Sequence, residues 1–148
     1  MKKQFLLILI LLISFTSINT LKAQSISKEI IDQFFLIYEQ EPQKAVDYIF
    51  STNKWISEES QEGIDNVKDK LENFLGLVGE YYGYDLITKK NVGENYELWS
   101  YIIKYDRQPL RFTFVLYRPK DKWQLQNFQF DDNLGDELKD AGKIYNLN

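Results

Sequence analysis

The chain has 148 residues, with 18 Lys and Arg against 22 Asp and Glu, no His and no Cys. Without Cys there is no disulfide framework, no thiolate nucleophile and no thiolate metal site. Without His the commonest general base and metal ligand are both missing, and the length allows one domain.

The first elements read as an export signal. Lys2 and Lys3 precede a nine-residue apolar run, Phe5 to Ile13, followed by small and polar residues to Ala23. The run is far shorter than the roughly 20 residues a spanning helix needs, and charge, apolar stretch and small residue come in signal-peptide order. The expectation is a signal peptide over 1–23, cleaved near Ala23, with a single domain over 24–148 whose ordered core is about 27–132. Cleavage would leave 125 residues with a net charge of −7, because three lysines and no acid leave with the signal. Such a chain is a poor partner for nucleic acid or anionic lipid, and no stable membrane anchor is expected. The expected location is the periplasm or the extracellular medium.

Helices come next. Ile30, Ile31, Phe34, Phe35 and Tyr38 recur at spacings of three and four, one helical stripe. Pro42 ends that helix and suits the first turn of a second, carrying Ala45, Val46, Ile49 and Phe50. Ser51 to Asn53 reads as a loop. Ile64, Val67, Leu71, Phe74, Leu75 and Val78 make a third helix, closed by Gly76 and Gly79.

After Gly79 the period becomes two, with strands expected over 81–89, 96–105, 110–118 and 123–130. Four-residue loops at Asp106–Pro109 and Pro119–Lys122 would set Tyr105 opposite Leu110, Trp99 opposite Leu116 and Leu116 opposite Leu125. One face then holds Trp99, Tyr101, Ile103, Tyr105, Phe112, Phe114, Leu116, Trp123 and Leu125, as in an antiparallel sheet with one buried face. Strict alternation would expel Phe128 and Phe130, so a bulge is expected near Gln126-Asn127. A short helix over 134–141, capped by Asp132 or Asn133, and a frayed tail from Gly142 close the chain.

Helices followed by an antiparallel sheet resemble the nuclear transport factor 2-like (cystatin-like) α+β fold. The stretches GEYYGY at 79–84, PLRFTF at 109–114 and WQLQNFQFDD at 123–132 are similar to those of small exported bacterial proteins placed in that superfamily. The resemblance implies a cone: N-terminal helices in the concavity of a curved, about four-stranded sheet. It does not imply one function, because the fold hosts isomerases, dehydratases, adaptors and non-catalytic binders.

The aromatic face carries the functional expectation. Tyr82, Tyr84, Trp99, Tyr101, Tyr105, Phe114 and Trp123 are the candidates for lining a concave pocket, with Tyr hydroxyls as orienting donors. A packed core with hydroxyls at its rim is the competing reading of the same residues. The ligand expected is small and apolar or planar; a protein partner, including a second copy of the chain, is the other option. No cofactor and no metal are expected, and no catalytic residue is assigned. The alternative is a small isomerase- or dehydratase-like enzyme using carboxylate and Tyr groups. Asp85 is the one strand acid considered for it, and it would face the pocket only if Tyr81 and Gly83 also point inward. Asp131 to Glu137 fails the spacing of a calcium loop. Lys104, Arg107, Arg111, Arg118, Lys120 and Lys122 crowd the hairpins, as a cationic patch or as protection of strand edges.

Overall fold

The computed structural model describes residues 26–145, with side chains described over 26–139. The expected signal peptide over 1–23 lies outside the described residues. The described chain is α+β: helices first, then a four-stranded antiparallel sheet in the order β1-β2-β3-β4, then a last helix. The helices are α1 (residues 26–38), α2 (Pro42–Ser51), α3 (Lys54–Glu59) and α4 (Gln61–Val78). The strands are β1 (Tyr81–Val92), β2 (Tyr96–Tyr105), β3 (Leu110–Tyr117) and β4 (Gln124–Asp131), and α5 spans Leu134–Tyr145. No described helix is long and apolar enough to cross a membrane.

The helical stripes fall where the periodicity puts them. Ile31, Phe34, Phe35 and Tyr38 of α1 are buried, as are Ala45, Val46, Ile49 and Phe50 of α2, and Pro42 occupies the first turn of α2. These residues pack on one sheet face. Phe34 meets Phe112, Phe114 and Phe128, while Phe50 meets Phe128 and Phe74 of α4 meets Phe130. Each such buried Phe contributes about 1.5–3 kcal/mol relative to exposure.

The segment after Asn53 is a helix that the periodicity does not reveal. Asn53 accepts from Trp55 N at 3.1 Å, which caps α3, and its Nδ2 donates to Leu125 O at 2.7 Å. Thr52 Oγ1 accepts from Leu125 N at 2.9 Å. Thr52 and Asn53, just ahead of this short helix, are tied to β4 some seventy residues away, and the helix has no buried residue to give it an apolar stripe.

The sheet register corrects one expectation and bears out another. Tyr101 pairs with Phe112, Trp99 with Phe114 and Ile103 with Leu110. The β2–β3 connection is therefore longer than four residues: Leu110 pairs with Ile103 and not with Tyr105, whose pairing is with Tyr81 on the β1 side. The reason lies at the start of β1. Asp106 N donates to Glu80 O, Arg107 N donates to Val78 O, and Asp106 Oδ1 accepts from Glu80 N at 2.9 Å. A slip of two residues keeps every side chain on its face, so the buried set survives the error. In β4 the expected bulge is present: Val115 pairs with Asn127 and Leu116 with Leu125, and Phe128 and Phe130 are buried.

Gly79, which ends α4, has φ 89°, and a Cβ there would come within 1.6 Å of Asp106 Oδ1. The position requires glycine both for its backbone and for that approach. The expected tail after Gly142 instead continues α5 to Tyr145. At the start of α5, Asn133 Nδ2 donates to Asp136 Oδ2 and Asp131 Oδ1 accepts from Asn133 N, so these acids serve the helix start.

Candidate functional site

Two bulges decide which β1 side chains meet the helices. Register shifts fall between Tyr81 and Tyr84 and between Leu86 and Thr88, the first around Gly83 at φ 98°. Tyr81 and Tyr84 therefore both face the helices, and the ring of Tyr84 stacks on Phe35 at 3.7 Å. Tyr82 lies on the opposite face, 59% exposed, where its hydroxyl donates to Glu80 Oε2 at 3.2 Å. Asp85 is also outward and pairs with Lys104 at 3.0 Å. Simple alternation had placed Tyr82 and Tyr84 together; the extra residue at Gly83 separates them.

The remaining candidates fall into three places. Tyr84, Trp99, Tyr101 and Phe114 form one contiguous aromatic cluster, with Tyr101 5.7 Å from Tyr84, 6.4 Å from Trp99 and 6.1 Å from Phe114. Tyr105 lies four residues beyond Tyr101 along β2, about 13 Å at strand rise. Trp123 is buried at the β3–β4 turn, with the Arg118 guanidinium 5.2 Å over its ring.

Each end of β2 carries a buried polar group. At the Tyr105 end, the Tyr38 and Tyr105 hydroxyls are 2.5 Å apart, and the Tyr81 ring lies edge-on to both at 5.7 and 5.8 Å. Burial pushes the Tyr105 phenol up to about 12, although its hydrogen bond with Tyr38 acts to lower it. Tyr38 is raised further, by burial first and then by Tyr105. Tyr81 and Tyr101 are raised mainly by burial as well. These hydroxyls are neutral donors at neutral pH.

At the other end Trp99 Nε1 donates to Glu97 Oε2 at 2.9 Å, and Lys89 Nζ stands 3.1 Å from Glu97 Oε1 and 4.3 Å over the Trp99 ring. The Glu97 side chain is 5% exposed and that of Lys89 14%. The Lys89–Glu97 contact is an ion pair without hydrogen-bond alignment, so the ammonium has donor capacity left over. Sequence reasoning missed this cluster. The signal was there: Glu97 shares strand parity with Trp99, Tyr101 and Ile103, so an acid stood on the apolar face. Lys89 carried none, because the bulge at Ile87 sets its side.

Enzyme-like chemistry would need a desolvated carboxylate in reach of a Tyr hydroxyl. Glu97 is instead engaged by Trp99 and Lys89, and the Tyr38 and Tyr105 hydroxyls engage each other. Among the described residues no group of three or more acids could hold a metal ion. Most of the basic residues near the hairpins are used within the chain. Arg111 bonds Asp131 and Glu137, Arg118 bonds Asn95, Lys104 pairs with Asp85, and Arg107 reaches Leu77 O. An open groove of about 340 Å³ at the β3–β4 turn, lined by Pro119, Lys120, Asp121, Lys122 and Gln124, is remote from the aromatic cluster.

No protein-family profile, curated protein or solved structure matches this chain.

Proposed function

We propose that the chain is an exported, non-catalytic binding module of the nuclear transport factor 2-like kind, taking a small apolar or planar ligand on the helix-covered sheet face. The single observation that carries the reading is the Lys89–Glu97–Trp99 cluster. A buried ion pair adds little stability over apolar side chains of the same volume, and this one stands over an aromatic ring with donor capacity to spare. The rings of Trp99 and Tyr101, each 4% exposed, and of Tyr84, stacked on Phe35, would wall such a site from the core side, and the spare donor of Lys89 would supply orientation. Leu86, paired with Tyr101 on the same face yet 51% exposed, marks where the helices leave that face open beside β1. Export rests on the order of charge, apolar run and small residue in 1–23.

Native mass spectrometry of the protein purified from its own host tests the reading. The expected result is a co-purifying small molecule that is lost in Trp99→Leu and in the Lys89→Met/Glu97→Gln pair. A bare polypeptide mass in every preparation, or an adduct indifferent to both variants, overturns it.

A further inference from the structure

The free edge of β1 is self-complementary. Among the described residues no strand pairs with that edge, and three apolar side chains of β1 are exposed: Tyr82, Leu86 and Val92, at 59, 51 and 75%. An open edge offers unpaired N–H and C=O groups to a second strand, and the charges and bulges on it restrict which strand can fit. β1 carries both charge signs, arranged in order: Asp85 in its first half, Lys90 in its second, with both side chains on the outer face opposite Ile102 and Leu98.

We propose that β1 pairs antiparallel with β1 of a second copy, joining two four-stranded sheets into one. A twofold axis between Ile87 and Thr88 sets Asp85 opposite Lys90, Leu86 opposite Lys89 and Tyr84 opposite Asn91. In each pair the two side chains belong to the same face, as their partners on β2 show. That match is not automatic. Asp85 and Lys90 are five apart and would lie on opposite faces of a regular strand. The extra residue between Leu86 and Thr88 restores them to one face, so the bulge that breaks the β1–β2 ladder makes the self-pairing consistent. The symmetry forms the Asp85–Lys90 contact twice, and it brings the exposed Tyr82 diagonally beside the exposed Val92 of the second copy. Other β1 registers that keep the axis near the strand centre lose the Asp–Lys match or mix the faces. An edge pairing buries less than the about 1,600 Å² of a standard interface, so the association is concentration-dependent.

Sedimentation velocity over a concentration series tests this. The expected result is a monomer–dimer equilibrium that weakens with salt. Lys90→Asp and Asp85→Lys should each shift it to monomer by an order of magnitude or more, and the double swap should restore it. Among the described residues Lys90→Asp removes no ion pair, so its loss of dimer is not a folding defect; circular dichroism checks Asp85→Lys, which also gives up Lys104. A monomer at every concentration, a dimer indifferent to Lys90→Asp, or a double swap that stays monomeric overturns the proposal.

Discussion

The two ends of β2 bury polar groups by different means. At one end Tyr38 and Tyr105 satisfy each other as neutral hydroxyls, ringed by Tyr81 and Phe112. At the other, Glu97 is a buried carboxylate held by a Trp N–H and a Lys ammonium. The first arrangement needs only a hydrogen bond and is content inside a core. The second desolvates two charges, and each is tolerable only while the other is present. The Tyr end belongs to the folding core; the Lys–Glu end is where the proposed ligand would change what is paired with what.

The largest effect needs no mutation. A Tyr whose folded value is raised above its unfolded value of about 10 contributes stability that is fully present below pH 10. That contribution is lost as pH rises through the folded value, about 12 for Tyr105 and higher for Tyr38. Melting temperature should therefore fall steeply above pH 10, with tyrosinate absorbance rising in the unfolding transition itself. Absorbance that saturates well before unfolding would show that the hydroxyls at this end are not buried.

Glu97→Ala comes next. It leaves Lys89 uncompensated and the Trp99 N–H without its acceptor, and should cost about 3–5 kcal/mol in urea unfolding, whereas replacing both residues by Met removes the unpaired charge and should cost only the orphaned Trp99 N–H, about 1–3 kcal/mol. Tyr38→Phe orphans the Tyr105 hydroxyl and should cost about 1–3 kcal/mol, with much of the loss recovered in Tyr38→Phe/Tyr105→Phe. If Glu97→Ala costs no more than Tyr38→Phe, the contrast between the two ends collapses and the ion pair is effectively hydrated. The smallest change is Lys104→Met. Its pair with Asp85 is exposed on both sides, and a double-mutant cycle should return about 0.5 kcal/mol or less.

Much of this was legible in the residues. The stripes Ile31–Phe35–Tyr38 and Val46–Ile49–Phe50 announce their helices, and alternation from Trp99 to Tyr105 announces the buried sheet face. The β4 bulge was legible too, because two Phe stood on the wrong parity and a core wants them back. Three features were not. The α3 cap depends on Leu125 in β4, the β2–β3 register depends on Asp106 reaching Glu80, and the side chosen by Tyr82 depends on a bulge at Gly83.

By itself the sequence determined the α+β class, the order of every element except α3 and the apolar members of the buried face on β2, β3 and β4, because periodicity and apolar burial act on each element separately. Tertiary structure alone decided the register at β2–β3, the outward turn of Tyr82 and Asp85, and the meeting of Lys89 with Glu97 over Trp99. Those follow from where two segments meet across the sheet, and an inserted residue that costs one strand little reverses every side chain beyond it.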